Sequence, residues 1–167
     1  MGVRTAALDA AVVASRLEQT LPGSIEEGSG GDVLCLRPGN LLAAARWLRD
    51  DLETDLKFLS AVSGVDWQTH FEVVYHLFSL ARNHELVLKV RLTEHESPSV
   101  PSVVPVWYGA HLQEREVYDL MGIHFEGHPD LRRVFLWEGF PGHPLRKDFL
   151  AMPGGLKPGL AHFPKER

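Results

Sequence analysis

The chain has 167 residues, of which 44% are hydrophobic, and its formal net charge is −5 at pH 7. This length and composition suit one domain of ordinary size with a single hydrophobic core. Acidic and basic residues are interspersed, so no basic stripe is available to follow a phosphate backbone, and we expect no nucleic acid partner.

The single cysteine and the absence of long apolar runs limit the possible cofactors and the possible location. Cys35 lies in an apolar run, where we expect a small buried hydrophobic residue rather than a reactive thiol. One thiol can neither hold an iron–sulfur cluster nor close an internal disulfide, which favours a reducing, cytosolic compartment. No stretch approaches the ~20 apolar residues that span a bilayer, so we expect membrane contact only through other proteins.

The first third of the chain predicts two helices and a strand. Apolar residues at helical spacing predict a short amphipathic helix over residues 8–17. A buried strand is predicted over 32–37. A second helix is predicted over 41–52, with Asn40 as its N-cap.

The middle of the chain predicts a sheet and a third helix. A strand is predicted over 56–66, interrupted by Ser63-Gly64, and a β-hairpin is predicted from the strands 71–81 and 85–92. A helix is predicted over 109–121. These elements define an α+β fold in which helices pack on a small, mostly antiparallel sheet, and we assign residues 1–122 to this domain.

Beyond Gly122 the sequence loses its periodicity but keeps its aromatic residues. Residues 123–167 contain six prolines and six glycines, which prevent long helices and strands. A solvated linker would lack aromatic side chains, whereas this segment has several. We therefore interpret residues 123–167 as an extended, partner-binding C-terminal arm whose ordering requires a large contact surface.

Four charged residues on the predicted third helix are candidates for chemistry. Arg115 and Asp119 are four residues apart and face the same way, with Glu114 and Glu116 nearby. Paired carboxylates could perform acid–base catalysis, but alternating charge on a helix is more typical of a salt-bridged face. Such a face could also be buried at an interface, where charges fix the register of the partners.

Two histidines after this helix have a spacing that suggests a metal site. His124 and His128 are four residues apart. Gly127 and Pro129 break the helix that would direct both rings at one ion, and a third ligand is not visible. We therefore expect no bound metal.

Two pairs of basic residues in the arm could bind an anionic substrate. The pairs are Arg132 with Arg133 and Arg146 with Lys147, although such pairs are common on protein surfaces. No glycine-rich phosphate loop follows a strand, and no set of nucleophile and base is recognisable. The residues by themselves indicate an interaction subunit.

Three motifs in the same order resemble the C subunit, of the 30 kDa type, of proton-pumping NADH:quinone oxidoreductase, respiratory complex I. They are Glu114 to Ile123, Phe125 to Arg133, and the stretch GHPLRKDF from Gly142 to Phe149. The resemblance extends over residues 56–149. It implies roles in the family motifs and their interfaces for Glu114, Arg115, Glu116, Asp119, Gly122, Gly127, His128, Pro129, Arg132, Arg133, Gly142, His143, Pro144, Leu145, Arg146, Lys147 and Asp148.

The resemblance implies a structural subunit that holds no cofactor of its own. FMN and iron–sulfur clusters would lie in partner subunits, and the D subunit, the B subunit and other peripheral-arm subunits would be the partners. The complex would lie on the cytoplasmic side of the cell membrane, to which the subunit is peripheral. Equivalent subunits serve complexes fed by ferredoxin or F420H2 and membrane-bound nickel–iron hydrogenases. A free-standing hydrolase using Glu116, Asp119 and a histidine is a further alternative.

The resemblance and the composition together predict how the last motif behaves. We expect GHPLRKDF to be disordered in the isolated protein and ordered in a complex. There Arg146, Lys147 and Asp148 would pair with a neighbouring subunit, and Leu145 and Phe149 would fill apolar pockets on it.

Overall fold

A hairpin of two long strands forms the centre of the main sheet. In the computed structural model, which describes residues 4–149, the strands β4 (Phe71–Ser79) and β5 (His84–Leu92) pair antiparallel. Strand β3 (Phe58–Asp66) pairs antiparallel with the outer edge of β4. On the other side, β1 (Ala6–Ala7) and β2 (Val33–Leu36) both pair parallel with β5.

Three helices share one core with one face of this sheet. They are α1 (Ala10–Thr20), α2 (Leu41–Asp50) and α3 (Ala110–Met121). Alternate residues of the hairpin strands point into the core, including the fully buried Phe71 and Leu88, because successive side chains of a strand point to opposite faces. The predicted α+β class and the predicted hairpin are confirmed.

Of two local predictions for the first half of the chain, one is confirmed in position only and the other is wrong. Asn40 occupies the N-cap position of α2, but it also ends a short 3₁₀ turn (Pro38–Asn40) and its side chain makes no capping hydrogen bond. Strand β3 is not interrupted at Ser63-Gly64, since its pairing with β4 continues through both residues. A Cβ at Gly64 would lie 2.5 Å from Met121 Sδ, so the glycine permits close approach of α3 rather than a break in the strand.

A second, two-stranded sheet joins the beginning of the arm to the domain. Strand β6 (Ser99–Pro101) pairs parallel with β7 (His124–Glu126), and Phe125 is buried in the core. The sequence did not predict these strands, because three residues are too few to show alternation. The division of the chain at residue 122 stays a prediction.

Within residues 4–149, no helix is both long enough and apolar enough to cross a membrane.

Candidate functional site

The carboxylate of Asp119 binds the arm through three consecutive backbone amides. Its Oδ2 accepts hydrogen bonds from the N–H groups of Val134 (2.9 Å), Phe135 (2.8 Å) and Leu136 (3.0 Å), and its Oδ1 accepts one from Arg133 at 3.0 Å. The Asp119 side chain is 0% exposed. Burial raises the pKa of this carboxyl, but the backbone hydrogen bonds and the Arg133 guanidinium outweigh burial and lower the pKa below its ordinary value.

Arg115, one turn earlier on α3, also binds the arm. Its guanidinium donates to the backbone carbonyls of Arg132 (3.1 Å) and Arg133 (3.3 Å), and it lies 3.6 Å from the carboxylate of Asp130. Arg115 and Asp119 are thus ion-paired, as predicted for this helix face, but not with each other. Both are buried beneath the arm, and their partners, Asp130 and Arg133, belong to the arm. Arg133 is thus engaged inside the molecule instead of being free to clamp an anionic substrate.

Glu114 faces the other way, into the core. It is fully buried, and its carboxylate accepts hydrogen bonds from the Ser102 hydroxyl at 2.6 Å and the Val103 N–H at 2.8 Å. Burial raises the pKa of Glu114 to about 7, while the two hydrogen bonds oppose this shift. The nearby Tyr75 hydroxyl is also buried, and burial together with the Glu114 charge raises its pKa well above the ordinary value. Glu114 therefore links α3 to the segment that follows β6.

The motif GHPLRKDF covers the carboxyl end of α3. The last carbonyls of an α-helix have no partner within the helix. Here the carbonyl of Asp119 lies 2.9 Å from His143 Nδ1, that of Leu120 accepts from the Leu145 N–H at 3.0 Å, and that of Met121 accepts from Arg146 Nε at 2.8 Å. The motif therefore acts as the C-terminal cap of the helix.

Arg146 is the most deeply engaged residue of this cap. It is 9% exposed, donates a second hydrogen bond to the His95 carbonyl at 3.1 Å, and places its guanidinium 5.1 Å from the centre of the Phe71 ring. A cation at a helix C-terminus and over an aromatic ring is stabilised by both. Arg146 therefore serves the chain's own fold through Nε and one Nη, and its pairing with a neighbouring subunit stays a prediction.

Asp66, the last residue of β3, binds Lys147, which follows Arg146 in the motif. Asp66 is buried and accepts hydrogen bonds from the backbone N–H groups of Lys147 (2.9 Å) and Gln68 (2.6 Å). Burial raises its pKa, but these amides and the nearby His95 lower it overall. Nothing in the sequence pointed to Asp66, His95 or Phe71 as partners of this motif, since each lies far along the chain from it.

Gly122 ends α3 with a backbone conformation and a close contact that both favour glycine. Its φ of +73° lies in the left-handed region that favours glycine. A Cβ at this position would also lie 2.5 Å from Cδ2 of His143. The backbone conformation and the packing of the cap thus both require glycine. Within the cap, burial lowers the pKa of the His143 imidazole.

The remaining motif residues are divided between internal contacts and the surface. Phe149 is 3% exposed and stacks on Phe140, so the prediction that it fills a partner's pocket is wrong. Leu145 is 58% exposed, and the side chain of Lys147 reaches solvent. One carboxylate oxygen of Asp148 is buried and has no hydrogen-bond partner among residues 4–149. Gly142 has a φ of +89°, and Pro144 is half-buried.

His128 is a structural residue of the turn that begins the arm. Its Nε2 lies 2.9 Å from the His111 carbonyl, and its Nδ1 accepts the Asp130 N–H at 3.0 Å, so Nε2 carries the proton. Burial lowers the pKa of this imidazole, which favours the neutral ring. His124 is exposed, and in the described part of the chain no three His, Cys, Asp or Glu residues converge as metal ligands.

The other residues of the same turn are exposed. Gly127 has a φ of +75° and occupies an open position, and Pro129 follows on the surface. Arg132 forms a solvent-exposed ion pair with Asp130 at 3.0 Å. The turn directs the arm back over α3.

These contacts define a class of protein: a small α+β domain whose last helix binds the chain's own C-terminal arm. The chain belongs to the family of the 30 kDa subunit of respiratory-chain NADH dehydrogenase, since the profile of this family, described as "Respiratory-chain NADH dehydrogenase, 30 Kd subunit", matches residues 34–153. The resemblance identified from three motifs is confirmed.

Proteins of this family are similar to the chain over most of their length. The chain is 45% identical over 148 residues to the C subunit of the NADH-quinone oxidoreductase of Roseiflexus castenholzii, covering 85% of this chain and 84% of that protein. It is 43% identical over 139 residues to the C subunit of the Brucella ovis enzyme, covering 80% of this chain and 68% of that protein.

Two solved structures share the fold. A trypsin-resistant fragment of Nqo5 matches with a TM-score of 0.53 at 30% identity, covering 72% of this chain and 97% of that chain. A chain of the membrane-bound sulfane sulfur reductase, an archaeal respiratory membrane complex, matches with a TM-score of 0.66 at 22% identity, covering 94% of this chain and 96% of that chain.

Proposed function

We propose that this protein is a cofactor-free structural subunit of a proton-translocating NADH:quinone oxidoreductase. FMN and the iron–sulfur clusters that carry electrons from NADH to quinone belong to other subunits, and this chain supports that transfer without taking part in the chemistry. The observation that supports this role is the use of the motif residues. Arg115, Asp119, Arg133 and Arg146 are committed to holding the arm, so their charges act on the chain's own backbone.

The geometry does not favour a free-standing hydrolase. A general base needs an oxygen or nitrogen that is free to accept a substrate proton. Both oxygens of Asp119 already accept hydrogen bonds from four donors, and its side chain is buried. Glu116 lies on the exposed surface of α3 and, within residues 4–149, has no hydrogen bond or ion pair with a histidine. Glu116, Asp119 and a histidine therefore do not form a catalytic set.

The proposed partners are the D and B subunits and other subunits of the peripheral arm, on the cytoplasmic side of the membrane. NADH is the proposed donor because the identity to subunits of NADH-quinone oxidoreductases reaches 45%. The similarity to a sulfane sulfur reductase chain is limited to 22% identity and concerns the fold alone. Complexes fed by ferredoxin or F420H2, and nickel–iron hydrogenases, are the alternatives that an experiment should separate.

A gene deletion tests the assignment. We expect membranes of the deletion strain to lose NADH-driven quinone reduction and to regain it when the wild-type gene is restored. Reduced ferredoxin, F420H2 and hydrogen serve as comparison donors. If the deletion abolishes quinone reduction with one of these donors and not with NADH, that donor replaces NADH in the assignment. Iron, zinc and flavin are measured in the purified full chain, where a stoichiometric amount of any of them would contradict the cofactor-free role.

A further inference from the structure

A small apolar cleft lies between strand β3 and helix α3. Its volume is about 190 Å³, and Ser63 and Glu116 are the polar residues of a lining that is otherwise formed by Val62, Gly64, Val117, Leu120, Met121 and Leu145. Sites for small molecules usually enclose about 300–1,000 Å³. This cleft is smaller and open to solvent, so its size fits a side chain of another protein better than a small-molecule substrate.

Glu116 lies at the same cleft and is the exception among the charged residues of its motif. Glu114, Arg115 and Asp119 are buried and hydrogen-bonded inside the protein. The side chain of Glu116 is exposed and, in the described part of the chain, forms neither a hydrogen bond nor an ion pair. Among residues 4–149 no Lys or Arg lines the cleft, so these residues leave the negative charge of Glu116 uncompensated there.

Exposed apolar side chains surround this charge. Leu145 is 58% exposed at the cleft, and Leu112, one turn before Glu116 on α3, is 60% exposed. Protein interfaces combine a central apolar anchor with complementary charge at the rim. An apolar cleft beside one uncompensated carboxylate is complementary to an apolar side chain that has a basic residue close to it.

We propose that this cleft is the docking site for a segment of another subunit of the complex, which inserts an apolar side chain and pairs a Lys or Arg with Glu116. The proposal rests on the proposed function, because it requires that the chain assembles with such a subunit. It identifies Leu145 as the residue through which the arm contributes to that interface, whereas Arg146 next to it serves the chain's own fold.

Matched substitutions in the full chain test the role of the cleft. Glu116→Lys reverses the charge, and Leu145→Ser removes the apolar side chain that the arm contributes to the wall. Glu27→Lys and Leu80→Ser are controls, since both residues are exposed and neither lines the cleft. With a tag on this chain, we expect both cleft variants to lower co-purification of the other complex subunits at least about tenfold. The controls should co-purify these subunits at the wild-type level, and all four variants should keep the wild-type melting temperature.

The outcomes separate this proposal from the proposed function. If the wild-type chain co-purifies no oxidoreductase subunits, the proposed function fails. If the wild-type chain does so and the cleft variants do so equally well, the docking site alone is wrong. A melting temperature lowered only in the cleft variants would also overturn it, because the effect would then be on folding.

A photo-crosslinking residue at position 145 identifies the occupant. In the assembled complex we expect a cross-link to a peptide of another subunit. This peptide should contain an apolar residue with a Lys or Arg no more than about four positions away. A cross-link to residues 150–167 of the same chain, to a second copy or to lipid would overturn the proposal.

Discussion

Asp119→Asn should detach the arm from α3 without changing the shape of the side chain. Asparagine offers one acceptor oxygen, so if this oxygen keeps the three amides of Val134, Phe135 and Leu136, its NH₂ group must face the Arg133 donor. The variant therefore loses the ion pair and converts three charge-assisted hydrogen bonds into neutral ones.

The expected cost follows from these contacts. Hydrogen bonds to a charged group contribute about 1.5–3 kcal/mol and neutral ones about 0.5–1.5 kcal/mol, so three weakened bonds account for about 3 kcal/mol. The lost pair adds to this cost, because Asp119 is 0% exposed and the Arg133 donor would face the NH₂ group of the new side chain. A change of about 3 kcal/mol corresponds to a roughly hundredfold change in an equilibrium constant.

Amide hydrogen exchange of the full chain measures this effect at the affected bonds. We expect protection of the amides of residues 134–136 to fall about a hundredfold in Asp119→Asn, whereas Glu138→Gln, an exposed substitution in the same segment, should leave it unchanged. Unchanged protection in Asp119→Asn would show that the arm is held by other contacts and would refute the anchoring role.

Acid should weaken the same contacts in the wild-type protein, because protonation of Asp119 removes its negative charge. The folded-state pKa of Asp119 is depressed, so its contribution to stability is present above the ordinary Asp value of about 4 and is lost as pH falls through the folded-state pKa. Protection of these amides should therefore decline in acid in the wild type. In Asp119→Asn, the protection of these amides should depend less on pH, because asparagine has no carboxyl group to protonate.

Two further substitutions test the core and the cap. Glu114 has its pKa raised from 4.5 to about 7, so wild-type stability should fall by up to about 3 kcal/mol as pH rises through this range. Glu114→Gln should remove that fall in urea unfolding, and an equal slope in both proteins would contradict the buried acid. Gly122→Ala should lower the melting temperature more than Gly127→Ala, because both glycines have a positive φ but only at Gly122 would the new Cβ meet His143. Equal losses would show that the cap tolerates the methyl group.

The elements that the sequence predicted well are those with a long regular pattern. Strand β5 alternates buried and outward-facing residues over nine positions, and α3 ends at a glycine, so periodicity and capping predicted both. The roles of the charged residues on α3 could not be predicted in the same way. The partners of Asp119 lie 14 to 17 residues further along the chain, and only the path of the arm brings them together.

The placement of Arg146 shows the same limit more clearly. The stretch GHPLRKDF has no periodicity of its own, which led to the expectation that a partner must order it. That expectation left out two features of other segments: three carbonyls at the end of α3 that need donors, and the ring of Phe71 on β4 as a surface for the guanidinium. A pattern within one segment cannot reveal donors and acceptors that another segment leaves unpaired.

At several positions the arm covers polar groups and leaves apolar side chains exposed, which is the reverse of an ordinary surface segment. Asp119 and Arg146 are buried under or within it, whereas Phe135 is 64% exposed and Leu145 is 58% exposed. Hydrogen bonds with defined directions hold the arm on α3. In the proposed complex, a partner would bury apolar side chains that are already in place, so ordering the arm would cost assembly little entropy. Such an anchored arm suits the proposed structural role, because it presents a fixed surface while Asp119, Arg133 and Arg146 hold it from within the fold.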